Sequence, residues 1–124
     1  MKPRPRWKFT FRYAAAGIWY AVRTQRNMKA HLAVAIAVTA GAAFFRLPVL
    51  SWVLLLLTIS SVIALELVNT ALETVVDLVT DDWHPLAKIA KDTAAGAVLV
   101  AASFAVLIGM ILFYSPVCDY FGWH

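Results

Sequence analysis

From Val49 to Leu65 the chain carries no charged residue, and then Glu66, Asn69, Glu73 and Asp77 follow in quick succession. An apolar run of that length is a membrane-span signal. Acids directly after it are costly, roughly 2.5–3.5 kcal/mol each at a bilayer centre and less toward the interface. At about 100° per residue these four polar residues share an arc of roughly 80° on one helix face. Thr70 and Thr80 lie in or beside that arc, and Leu65, Leu67, Val68, Leu72, Val75, Val76 and Val79 form the opposite face. The row from Glu66 to Asp77 covers about 16 Å of helix.

The rest of the chain fits a membrane setting. It is 62% hydrophobic and only 15% charged, with a mean hydropathy of +0.75. A soluble domain is nearer half apolar and one quarter charged. Residues 1–8 carry two prolines and four cations and read as an irregular basic tail. Residues 9–28 mix Phe9, Phe11, Tyr13, Trp19 and Tyr20 with Arg12, Arg23 and Arg26, a composition suited to an amphipathic interfacial helix at headgroup level. Three spanning helices are expected over residues 30–47, 49–80 and 85–114. Small residues recur every fourth position at Ala33, Ala37 and Gly41, and again at Ala97, Ala101, Ala105 and Gly109. Such ridges let helices approach closely. Pro85 suits the first turn of the third span, with Asp81 or Asp82 as its cap.

Eight of the eleven Lys and Arg residues fall between Lys2 and Lys29, and no acid precedes Glu66. Beside membrane spans such a block marks the cytoplasmic side, and nucleic-acid binding is disfavoured. The N-terminus is therefore expected inside a plasma (inner) membrane crossed several times, with residues 46–48 and the C-terminus outside. Nothing resembles a cleaved signal peptide. The single cysteine, Cys118, excludes an internal disulfide, and no His/Cys spacing suggests zinc. His31 and His84 are lone histidines. His84 lies near the polar row, and His31 is assigned no catalytic role.

An antiparallel hairpin would bring Lys88, Lys91 and Asp92 beside Glu73 and Asp77. Carboxylates suit Mg²⁺ that shares phosphate oxygens, and Lys with helix N-terminal N–H groups suits phosphate. A deeper carboxylate could deprotonate a hydroxyl. These parts fit phosphoryl transfer from a nucleotide to a lipid alcohol. Neither a Gly-x4-Gly-Lys-Ser/Thr loop nor a protein-kinase signature is present. A small oligomeric channel for protons or cations, lined by Glu66 and Glu73, is the alternative from the residues alone.

The segment Glu66-x2-Asn69-Thr70-Ala71-x-Glu73-x2-Val76-Asp77, followed by His84-Pro85-x-Ala87-Lys88-x2-Lys91-Asp92-x-Ala94-Ala95, resembles the small prokaryotic diacylglycerol kinase family. Upstream, Arg23-Thr24-Gln25-Arg26-Asn27-Met28-Lys29-x-His31-Leu32 resembles its undecaprenol kinase branch. The resemblance runs from about residue 9 to 113. It implies an all-α integral membrane protein, a homotrimer of three-span chains with active sites between subunits. It also implies transfer of the ATP γ-phosphate to undecaprenol or diacylglycerol with Mg²⁺. By matching positions, Glu66 is the catalytic base and Glu73 a metal ligand. Asn69, Asp77, Lys91 and Asp92 surround the nucleotide, which Tyr13 and the Asp82-Trp83-His84 turn also contact. Gln25 stands where the family has a second metal-binding Glu, and its carbonyl oxygen brings a ligand without charge.

Overall fold

The computed structural model describes residues 7–123; the expected basic tail lies mostly outside them. A 3₁₀ turn, Trp7–Phe9, leads into α1 (Thr10–Thr24), α2 (Arg26–Phe44), α3 (Val49–Val79) and α4 (Pro85–Phe121). No strand occurs among the described residues. Three helices, α2, α3 and α4, are long and apolar enough to cross a membrane. With 31 and 37 residues, α3 and α4 extend about 46 and 55 Å, well beyond a hydrocarbon core of about 30 Å. Their surplus length is enough for the far end of the polar row and the first turns of α4 to extend beyond an apolar layer of that thickness.

Helices α3 and α4 form an antiparallel hairpin, with α2 packed on α3 and α1 lying against both α2 and α3. Few side chains are buried within the chain: Ala42, Leu47 and Leu55 make a small cluster with Val38, Phe45, Trp52, Ile59, Leu112 and Phe113 around it. Leu54, Leu56, Leu57, Val100, Phe104 and Leu107 face outward. In lipid that exposure carries no hydrophobic penalty, and the helices already satisfy their own backbone polar groups.

Several boundaries differ from the sequence reading. The first helix ends at Thr24, and α2 starts at Arg26, ahead of residue 30. Gln25 alone is extended, at φ −99° and ψ 118°. The apolar run after Ala30 is short for a span, so α2 takes up Arg26 to Lys29 as an interfacial first turn. The cap of α4 is His84, not Asp81 or Asp82: its Nδ1 accepts a hydrogen bond from the Leu86 N–H at 3.1 Å. Pro85 at N1 forces the residue before it out of the helical region, and His84 sits at φ −144°, ψ 136°. Asp82 instead donates its N–H to Thr80 Oγ1 at 3.2 Å.

The last helix does not stop near residue 114. It continues through Pro116 to Phe121. A proline inside a helix removes one backbone bond, but here the extra turns build an aromatic cluster. Tyr120 packs edge-on against Phe44 and Phe45 at ring separations of 5.4 and 5.6 Å, and Phe45 meets Phe113 at 6.3 Å. Between α2 and α3, Arg46 takes a left-handed conformation at φ 54°. The Arg46 N–H bonds Ala43 O and the Leu47 N–H bonds Ala42 O, at 3.2 and 3.0 Å. This is a Schellman closure, with buried Leu47 and Ala42 supplying its apolar contact.

Candidate active site

The polar row of α3 is graded by depth. Glu66 is 1% exposed, and Asn69 and Thr70 are also buried. Glu73 is half-buried and Asp77 exposed. The local cause is packing on two sides. Ala21 of α1 and Thr70 line one groove, while Glu66 and Asn69 face a chamber of about 240 Å³ between α2 and α4. Small side chains, Ala30, Ala95 and Ala102, leave that space open. Thr70 Oγ1 donates to Glu66 O at 2.9 Å and Thr74 Oγ1 to Thr70 O at 2.8 Å, so both hydroxyls are satisfied within α3.

Two atoms in the chamber are not satisfied. Glu66 Oε2 and Asn69 Oδ1 are buried without a hydrogen-bond partner among the described residues. Buried acceptors left unmade cost about 1–3 kcal/mol, more when charged, so they mark a place for a ligand's donor or a cation. Asn69 Nδ2 donates toward Glu73 Oε1 at 3.4 Å. The chamber adjoins a larger cavity of about 650 Å³, lined by Val34, Val38, Leu55, Ile59, Val106 and Phe113 among others. Ala30, His31 and Ala102 belong to both walls. A polar pocket with a buried acid therefore opens onto an apolar one, the shape of an amphiphile with one hydroxyl.

His31 is the residue the sequence reading set aside. Its Nε2 stands 3.6 Å from Glu66 Oε2, with the histidine side chain 22% exposed. The structure places it beside the acid that α3 buries, a position the sequence reading did not give it. A signal existed. Asn27 and His31, four residues apart, share one face of α2, and an ionisable residue entering a span is functional by default.

Beyond Glu73, the hairpin brings Lys91 Nζ to Asp77 Oδ1 at 2.6 Å. Asp92 pairs with Lys88 of its own helix rather than with α3. Trp83 and Asp82 are exposed in the turn, and His84 Nδ1 is engaged in the cap. Tyr13 is 41% exposed on α1. Gln25 is half-buried at the α1–α2 break; its N–H bonds Ala21 O and its C=O accepts from the Lys29 N–H. Glu66, Asn69, Glu73, Asp77 and Lys91 are therefore drawn into one line, while Asp92 pairs away from it.

Oxygen donors dominate this line, which suits a hard cation. Among the described residues no group of three or more His, Cys, Asp or Glu could hold a metal. A cation beside Glu73, near the orphan Asn69 Oδ1, would complete its shell from water or phosphate oxygens. Mg²⁺ characteristically binds that way.

Comparison with known proteins identifies the family. An undecaprenol kinase of Bacillus subtilis is 46% identical over 104 residues, covering 84% of this chain and 85% of that protein. A diacylglycerol kinase of Synechocystis is 51% identical over 108 residues, covering 86% of this chain and 62% of that protein's length. The Escherichia coli diacylglycerol kinase is 35% identical over 101 residues, covering 82% of this chain and 79% of that protein. The family model "Prokaryotic diacylglycerol kinase" matches residues 12–113, from the first turn of α1 to Phe113, about two turns short of the end of α4. The chain is an integral membrane protein and belongs to the prokaryotic diacylglycerol kinase family.

Proposed function

We propose that this protein transfers the γ-phosphate of ATP to the hydroxyl of a lipid alcohol in the cytoplasmic leaflet, with undecaprenol as acceptor ahead of diacylglycerol. The observation that carries the reading is Glu66: a buried carboxylate whose Oε2 lacks a donor, facing a chamber that adjoins an apolar cavity. A lipid hydroxyl would supply that donor while its chain occupies the apolar side. Family membership supports ATP-dependent phosphotransfer to a lipid. The undecaprenol preference rests on the Bacillus subtilis relative, most of whose length is matched. The relatives named are kinases and lend the ion-conducting alternative no support.

Glu66 accepts the hydroxyl proton as the alcohol oxygen bonds to the γ-phosphorus. The bond between that phosphorus and the β–γ bridging oxygen breaks, releasing ADP and leaving the lipid monophosphate. Glu73 and Gln25 would hold Mg²⁺, which supplies charge neutralisation for the phosphates. Asn69 steadies Glu73 through its Nδ2. Lys91, held by Asp77, offers its remaining N–H donors to phosphate oxygens, with Asp92 nearby on the same helix. Tyr13, Asp82, Trp83 and His84 flank the nucleotide on the water side. Asp77 is exposed in a single chain and Trp83 is 76% exposed, so a nucleotide there needs further walls. Neighbouring copies in a homotrimer would provide them. The basic N-terminal block supports a cytoplasmic N-terminus in the inner membrane.

Radiolabelled ATP, purified protein and a panel of lipid alcohols provide the test. Undecaprenol should be labelled, and Glu66→Gln should lower turnover about 10²–10⁴-fold, the range of a lost general base, with the oligomer intact. Failure to label either lipid, together with ion flux in liposomes, overturns the kinase reading.

A further inference from the structure

A buried base solves one problem and creates another. Glu66 can take a proton in the absence of water, yet at 1% exposure it has no direct way to give the proton back. Each turnover needs the carboxylate returned to its ionised form. Resting on the kinase reading, we propose that His31 is the proton relay of this site. It takes the proton that Glu66 collects from the lipid hydroxyl and passes it to solvent.

The geometry supports that step. His31 Nε2 is 3.6 Å from Glu66 Oε2, the oxygen that lacks a partner. The gap is slightly longer than a hydrogen bond, and such bonds often tighten only when substrate is bound. His31 is 22% exposed against 1% for Glu66, and it shares the chamber wall with exposed Asn27, one turn nearer the start of α2. The other polar side chains lining the chamber, Asn27 and Asn69, do not titrate, and α4 contributes only alanine and aliphatic groups. Glu73 is reached through Asn69 Nδ2, one turn further along α3. His31 and Glu66 are therefore the two titratable groups of the chamber wall. Histidine also suits the task chemically, since a ring nitrogen can accept a proton and the ring can then donate one.

The proton balance is simple. The hydroxyl loses H⁺ to Glu66 as the new O–P bond forms. Neutral His31, with Nε2 free of hydrogen, then accepts H⁺ from the Glu66 carboxyl. The resulting imidazolium releases a proton to water, and both side chains return to their starting state. No electrons or further reactants are required.

The relay and a merely structural contact make different predictions for His31→Gln and His31→Ala. Glutamine keeps a polar nitrogen near the carboxylate but cannot carry the proton on. The relay predicts that both variants lose steady-state kcat, on the order of 10²-fold, with KM for ATP falling in step, because the slow step now follows phosphoryl transfer. It predicts a burst in which about one lipid per site is phosphorylated before the slow phase. It predicts that imidazole in the medium restores His31→Ala in proportion to its concentration. If His31→Ala does not fold, the rate and burst of His31→Gln decide the question. Wild-type turnover in His31→Gln, or a loss expressed only as a higher KM for ATP, overturns the relay. So does a folded, slowed His31→Ala that imidazole fails to restore. Each of these outcomes leaves the kinase reading standing, because it is scored against a working wild-type enzyme. If the wild-type protein labels no lipid, kinase and relay fall together.

Discussion

At the scale of residues, the site's least conventional member is Gln25. A neutral carbonyl in place of a carboxylate removes one negative charge from the proposed Mg²⁺ shell, and ligand charge count is a main lever on affinity for hard cations. Gln25→Glu should therefore lower the Mg²⁺ concentration for half-maximal turnover several-fold, while maximal turnover changes little. A Mg²⁺ titration of both proteins at saturating ATP checks this; superimposable curves would remove Gln25 from the metal. Much of the site at this scale was legible in the sequence. The four-residue rhythm from Glu66 to Asp77 gives the shared face, and the short turn after Thr80 implies the Lys91 contact, seen at 2.6 Å. His31 was not legible as a partner of Glu66. Its neighbour comes from another helix, and no periodicity within one helix reports which face of α2 meets α3. The pairing of Asp92 with Lys88, four residues before it on the same helix, is the i, i+4 contact its spacing allows.

At the scale of elements, helix ends proved harder to read than helix identities. Pro116 reads as a stop, yet α4 passes through it, because the aromatic contacts of Tyr120 with Phe44 and Phe45 depend on those last turns. Tertiary packing outweighs one missing backbone bond. The small-residue ridges were legible as a pattern but not in their targets. Of Ala33, Ala37 and Gly41, the first two are exposed, whereas a Cβ added at Gly41 would lie 3.3 Å from Phe113 Cε1. Gly41 thus sets how closely α2 and α4 approach at the end away from the polar row. Gly41→Ala should be tolerated with a small shift of the Phe113 ring. Gly41→Val adds bulk that cannot all be absorbed, and overpacking of this kind costs about 1–3 kcal/mol. Thermal unfolding in detergent should show a clear fall in midpoint for Val and a slight one for Ala. Turnover at saturating lipid below the melting range should be unchanged in both, since the catalytic row lies at the opposite end of α3, and any effect should fall on KM for the lipid, whose cavity Phe113 lines. Equal midpoints for all three proteins would mean that α2 and α4 do not depend on this contact.

At the scale of the whole molecule, the single chain leaves too much of its polar end uncovered. The Lys91 and Asp77 side chains are 40% and 63% exposed, although they belong to one ion pair beside the proposed phosphate path. An exposed pair like this contributes little to stability, so its value lies in what it positions, and positioning needs walls. The second small-residue ridge points to where those walls attach. Ala97 is exposed on α4, close along the helix to the chamber residues Ala95 and Val98. A face of small residues against lipid gains nothing, whereas against another helix it allows close packing. If copies of the chain meet there, Ala97→Leu should weaken the oligomer and the kinase activity together. Cross-linking in membranes, which should stop at three copies for the wild-type protein, and turnover can be measured on the same preparation. Val49→Leu, which adds bulk at an outward-facing position in the first turn of α3, supplies the control and should alter neither. If Ala97→Leu stays trimeric and fully active, the ridge faces lipid and the missing walls come from another face.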